Sequence, residues 1–196
     1  GEDLNWAIVG AGLRPSAKNM RESLMAQDYL TTVVELSPSA ISARIISCMI
    51  DFLPSNPEAI IEYLSDEKIR IVSMTITESG YYIDSKTGKF AAGHQDMVAD
   101  GASPDSPTSL FGVLVKALRL RRDTGAAPFT VLSCDNLPGN GNMTRQTVVG
   151  LASLSDPKLA QWIADTVAFP NSMVDRIVPA TTHRELLLVK NRFGVS

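Results

Sequence analysis

Cysteine and histidine are scarce here, with two of each among 196 residues. Cys48 and Cys134 both lie in apolar, strand-like runs, the usual setting of reduced, buried thiols in a cytosolic protein and not of a disulfide framework. Their spacing supplies no zinc site. Long apolar runs are missing as well. Charge or proline interrupts each one well short of the roughly 20 residues that a bilayer requires, so no membrane-spanning helix is expected. Gly1-Glu2-Asp3 has neither the basic start nor the apolar stretch of a secretory signal, and the expected location is cytoplasmic. No initiator Met precedes it, so the chain is expected to begin inside a longer protein. A formal net charge of -3 and a pI near 5.4 give no electrostatic reason to expect nucleic acid or an anionic membrane as partner. The basic cluster Arg119, Arg121, Arg122 falls on a helical pattern and is expected to form a solvated helix end. No G-x-S-x-G elbow is present for a serine hydrolase. Gly88-Lys89 is followed by Phe90, which excludes a P-loop.

What is present is a globular composition, 44% hydrophobic and 20% charged, enough to bury a core. Hydrophobic periodicity predicts strands over Trp6–Gly10, Leu30–Leu36, Ala43–Met49, Arg70–Thr77, Phe129–Cys134 and Asp175–Val178. Helices are expected over Lys18–Ala26, Pro57–Leu64, Pro107–Arg122, Asn140–Leu154, Pro157–Thr166 and Thr181–Arg192. Arg70–Thr77, β-branched almost throughout, should be a central strand. Ser85–Lys89 reads as a turn, and Ala92–Pro107 as a loop. Strands alternating with helices imply an α/β, doubly wound, mostly parallel sheet, because parallel neighbours need crossover connections.

Two polar runs stand at places where such sheets bind ligands. Gly10-Ala11-Gly12 follows a strand and precedes a helix, as a pyrophosphate loop does, yet Pro15 occupies the place of the third glycine. The better reading makes Trp6–Gly10 a second strand, whose end meets the adenosine ribose. Ser133–Asn142 (SCDNLPGNGN) lies past the carboxyl end of a buried strand. Asn136 offers an amide donor there that can polarise a carbonyl or hold an alkoxide. Asn140 or Asn142 is read as a helix cap, Asp135 and Asn136 as functional. Phe169–Pro179 puts an Asp175-Arg176 pair into an apolar strand, where it is either a structural ion pair or faces a site. His94, in a loop, and His183, in a first helical turn, are read as solvated.

These runs, together with Arg70–Tyr81, carry a resemblance to the mannitol dehydrogenase family of long-chain polyol dehydrogenases. S-C-D-N-x-x-x-N-G and F-P-N-x-M-V-D-R-I-x-P are characteristic strings of that family. The likeness continues through Trp6–Arg14, Gln27-Asp28-Tyr29-Leu30, Phe129–Gly141 and Phe169–Thr181. It implies a partial Rossmann-like, dinucleotide-binding domain over residues 1–196, with NAD or NADP as cofactor. It also implies hydride transfer between a sugar alcohol and a ketose, such as mannitol and fructose. Asn136 would align the substrate oxygen, Asp175 would face the polyol hydroxyls, Glu78 would border the water path of the departing proton, and Thr75 would lie near the cofactor. NAD-selective members tend to carry acidic residues matching Ser16 or Ala17. Here neither is acidic, and Lys18 with Arg14 either meets a ribose phosphate or points to solvent, so relaxed specificity is expected.

The resemblance also marks departures. The family's glycine-rich first strand, ending in F-H-R-A-H, has no counterpart before Trp6. Its catalytic Lys, with Asn five and His eight positions later in a helical domain, has none either. Lys86 has His94 eight positions on but Ala91 at the Asn position, and Lys190 has Val195 there. The isolated chain is therefore expected to need the missing strand and helical domain and to be inactive alone. The alternatives are a keto-uronate reductase acting on fructuronate or tagaturonate, and a non-catalytic remnant serving as an interaction module.

Overall fold

The computed structural model describes residues 5–37, 39–175 and 180–194. The chain divides into two compact units, the first made of Gly1–Ser55 with Arg176–Ser196, the second of Asn56–Asp175.

In the first unit, β1 (Ile8–Gly10) pairs in parallel with β4 (Met49–Phe52). Between them run α1 (Ser16–Ala26) and an antiparallel hairpin of β2 (Thr31–Leu36) and β3 (Ile41–Ile46). Ser37 closes the hairpin turn, its hydroxyl accepting from Ala40 N at 3.0 Å. Ala17 and Leu24 of α1 pack on Phe52, with Tyr29 and Met49 alongside. The Phe52 ring lies so close to β1 that a Cβ on Gly10 would meet it at 2.3 Å. α7 (His183–Phe193) also belongs to this unit; Thr182 and Glu185 form a reciprocal capping box at its start, and Gly194 ends it in the left-handed conformation. His183 is exposed in its first turn.

The second unit begins with α2 (Pro57–Ser65), whose first turn is fixed by Pro57 and by Asn56, whose side chain accepts from Ala59 N at 3.2 Å. β5 (Ile71–Met74) pairs in parallel with β6 (Thr130–Ser133), from Ile71 against Thr130 to Met74 against Ser133. A 3-10 turn (Glu78–Tyr81), α3 (Gln95–Ala102) and α4 (Leu110–Thr124) cross between them, and α5 (Asn140–Ser155) and α6 (Pro157–Thr166) follow. Phe111, Val113, Leu114, Leu118, Phe129 and Val131 are at most 1% exposed. Each such side chain contributes about 1.5–3 kcal/mol by leaving water.

Four expectations are corrected. Ala43–Met49 is two strands: β3 ends at Ile46 on the hairpin and β4 starts at Met49 beside β1, with Cys48 exposed between them. No Gly or Pro marks that break. The stretch Ala92–Pro107 holds α3, where His94 caps the helix by accepting from Asp96 N at 3.2 Å. β5 stands at the edge of a two-stranded sheet among the described residues. The basic cluster is not solvated. Arg121 is 1% exposed and donates to the carbonyls of Leu64 at 2.8 Å, Ala127 at 2.7 Å, Ile69 at 2.7 Å and Asp66, over the face of Phe129. Arg122 pairs with Asp156 at 3.0 Å. Of the strand expected over Asp175–Val178, Asp175 is not in a strand and 176–178 lie outside the described residues. No described helix is long and apolar enough to cross a membrane.

Candidate active site

The register of the second unit decides what gathers at one place. Met74 and Ser133 are level, and Cys134 N donates to the Met74 carbonyl at 2.8 Å. The two strands therefore release their chains side by side, Thr75 to Glu78 from β5 and Cys134 to Asn136 from β6. That is the carboxyl end of a parallel pair, where α/β sheets place their chemistry.

Asp135 organises this end. Its Oδ2 accepts from the Tyr81 hydroxyl, and its Oδ1 accepts from Leu137 N at 2.9 Å and Asn140 Nδ2 at 2.8 Å. Burial alone would raise the carboxyl, but these hydrogen bonds outweigh it and hold Asp135 below its ordinary range. The same contact, with burial as the larger cause, pushes the Tyr81 phenol up to about 12. Burial also pushes the Cys134 thiol up, as does the neighbouring Asp135 charge.

Asn140 is fully buried and clamps the 169–175 segment. It donates to the Ser172 carbonyl at 3.0 Å and accepts from Ser172 N at 3.0 Å. Gly141 makes the approach possible, since a Cβ there would stand 2.4 Å from the Pro170 carbonyl oxygen. The cap of α5 is Gly139, at φ 76°, so neither Asn140 nor Asn142 serves as the N-cap. The Asn142 backbone N–H instead donates to Asn171 Oδ1 at 3.2 Å.

Asn136 is exposed, and its Oδ1 accepts from Asp175 N at 2.7 Å. A backbone N–H can only donate, so this contact fixes which way the amide faces. The oxygen is engaged by the Asp175 N–H, and the NH2 is the end of the amide left to donate. Asp175 itself is exposed at φ 46°, a left-handed conformation that aims its backbone N–H at Asn136. Thr75 and Glu78 are exposed at the end of β5.

The remaining positions implied by the resemblance lie in the first unit. Ser16 and Lys18 are exposed on the opening turn of α1, whereas Ala17 is buried. A Cβ on Gly12 would stand 2.7 Å from the Ala17 Cβ. Packing against Phe52 and Ala17 thus accounts for glycine at positions 10 and 12.

A family model described as the mannitol dehydrogenase Rossmann domain matches residues 2–193. The chain belongs to the mannitol dehydrogenase family. It is 54% identical to a mannitol 2-dehydrogenase of Cereibacter sphaeroides, a match covering 100% of this chain and 41% of that protein. It is 47% identical to a polyol:NADP oxidoreductase of Gluconobacter oxydans, over 91% of this chain and 38% of that protein. Among solved structures, the Pseudomonas fluorescens mannitol 2-dehydrogenase in ternary complex with NAD and D-mannitol aligns at a TM-score of 0.92 with 43% identity, over 97% of this chain and 39% of that one. A substrate-free D-sorbitol dehydrogenase aligns at 0.91, also with 43% identity, over 97% of this chain and 40% of that one. The chain thus spans about two fifths of the length of the mannitol dehydrogenase relatives it matches. Its fold is the family's Rossmann type. The roles of Tyr81, Asn140 and Ser172 escaped the sequence reading, because no periodicity marks a buried hydroxyl or amide whose partner is tens of residues away.

Proposed function

We propose that residues 1–196 form a partial nicotinamide-dinucleotide domain of a cytoplasmic polyol dehydrogenase, interconverting a sugar alcohol and a ketose such as mannitol and fructose. The observation that carries this reading is the exposed Asn136 amide beside the carboxyl ends of β5 and β6, its Oδ1 held by the Asp175 N–H.

The residues present fit the cofactor at two places. Ser16 and Lys18 offer a hydroxyl and an ammonium at an exposed helix start, suited to a ribose diol or its 2'-phosphate. Thr75 offers an exposed hydroxyl at the end of β5. The relatives support both nicotinamide dinucleotides, one being named for NADP and another solved with NAD. When bound, the nicotinamide supplies the hydride donor or acceptor.

The chain's own residues bind and orient. Asn136 Nδ2 donates to the substrate oxygen and stabilises the partial negative charge it carries while the C–H bond breaks or forms. The Asp175 carboxylate accepts from neighbouring hydroxyls of the polyol. Glu78 borders the water path by which the proton leaves. Completing the reaction requires the parts of the family's length that this chain does not span, and alone it is inactive.

The test is a chimaera in which this chain replaces its matching segment in the Cereibacter sphaeroides relative. It should oxidise mannitol, and Asn136→Ala within it should lower kcat by about a hundredfold with a smaller change in KM. An active chimaera whose kcat ignores the substitution would refute the role of Asn136.

A further inference from the structure

We propose that Tyr81, Asp135 and Asn140 form a positioning device, two of its three members fully buried, that holds the Asn136 amide in register with the Glu78 turn. The catalytic consequence rests on the reading of Asn136 given above; the geometry does not.

Asp135 and Leu137 flank Asn136 in the chain, and one carboxylate ties both down: Asp135 carries it and Leu137 N donates to it at 2.9 Å. Through Asn140 the same carboxylate reaches Ser172, whose hydroxyl donates to the Ser133 carbonyl at the end of β6. Val174 N returns to the Asp135 carbonyl at 3.3 Å, and Asp175 N closes the ring on Asn136 Oδ1 at 2.7 Å. The orientation of the Asn136 amide is thereby set by a ring of hydrogen bonds anchored on the fully buried Asn140.

Tyr81 brings in the other strand. It is the last residue of the 3-10 turn that Glu78 begins, and it is fully buried. Its carbonyl accepts from the Thr147 hydroxyl of α5, and its own hydroxyl donates to Asp135. Filling that space needs only a phenyl ring. A part-buried carboxylate is costly unless its oxygens are satisfied, and the phenol O–H is what satisfies Oδ2. The Glu78 turn and the Asn136 loop are therefore joined by a removable hydrogen bond.

Tyr81→Phe keeps the ring and deletes that bond. In the full chain, hydrogen exchange at the Asp175 amide should accelerate about tenfold, while the Val131 amide, bonded to the Ala168 carbonyl in the core, stays as it was. Unchanged exchange at Asp175, or an equal rise at both amides, would overturn the proposal. Ser172→Ala, which cuts the link to the Ser133 carbonyl, should give the same selective loss and serves if Tyr81→Phe does not fold. In the chimaera, Tyr81→Phe should lower kcat with KM nearly unchanged, and should cost nothing further once Asn136 is Ala. Equal losses in both backgrounds would mean that Tyr81 acts only on the fold. Exchange needs no turnover, so an inactive chimaera counts against the functional reading alone.

Discussion

The second unit hides its apolar side chains to 0–1% exposure at Tyr81, Met97, Phe111, Leu114, Leu118, Phe129, Val131, Leu159 and Ile163. Among the described residues of the first unit no buried apolar side chain falls below 8%, and Leu36 and Ile45 of the hairpin are each 62% exposed. The contrast extends to polar groups. Inside the second unit buried polar side chains find partners, Arg119 Nε excepted: Asp100 accepts from Thr108 N at 2.8 Å and Ser109 N at 3.1 Å, and Ser133 meets Thr144 at 2.8 Å. The first unit relies on close approach, with Phe52 seated on Gly10 and Ala17 on Gly12. Positions of the proposed chemistry at Asn136 and Asp175 therefore rest on a dense, satisfied platform. Those at Ser16 and Lys18 rest on one turn of helix over a small core.

The largest effect expected from this contrast is at Arg121. Truncation to Ala would strip the Leu64, Asp66, Ile69 and Ala127 carbonyls of their shared donor, a guanidinium whose residue is 1% exposed. Arg121→Ala should cost about 3–5 kcal/mol, read from the urea midpoint by circular dichroism. A loss under about 1 kcal/mol would show that the second unit is far looser than its burial implies. In the first unit the matching substitution is Gly10→Ala. Its new methyl would stand 2.3 Å from the Phe52 ring, and overpacking of that kind costs about 1–3 kcal/mol. A stability indistinguishable from the parent chain would show that the Phe52 ring shifts freely, and that Gly10 is not held by packing.

What the sequence disclosed follows the same division. α2, α4 and α6 were legible because their apolar spacing is helical and their caps are ordinary, as with Ser109 accepting from Gly112 N at 3.0 Å, and α5 was legible by its spacing although Gly139 caps it. α3 was not, since Gly93, Gly101 and Pro104 punctuate it like a loop. Gly101 is there because a Cβ would meet Leu154 at 3.0 Å, a tertiary reason that no local pattern carries. The break between β3 and β4 hid inside a β-branched run for want of a turn residue between Ile46 and Met49. Arg121 misled because helix-end cations usually face water, and its acceptors come from residues more than fifty positions away as well as from Ala127. At the site, the runs holding Asn136 and Asp175 were visible as polar islands beside a strand. Their mutual hydrogen bond spans 39 positions and was not.

The smallest effect expected is on cofactor choice, and it separates two adjacent residues that sequence alone treats alike. Ser16 is exposed at the first position of α1, while Ala17 faces Gly12 and is 9% exposed. An acidic side chain at 17 would have to be buried in the small core; one at 16 would stand in water, where the helix dipole favours it. Ser16→Asp should therefore leave folding intact. Its carboxylate would accept hydrogen bonds from a ribose diol and repel a 2'-phosphate, against which Lys18 otherwise offers a charge two residues on. In the chimaera with the Cereibacter sphaeroides relative, the ratio of kcat/KM for NADP to that for NAD should fall about tenfold, equivalent to about 1.4 kcal/mol. Ala17→Asp should instead lower the unfolding midpoint. An unchanged cofactor ratio in a folded Ser16→Asp protein would show that this helix start does not read the ribose, and would leave Ser16 and Lys18 as solvated residues of the thinner unit.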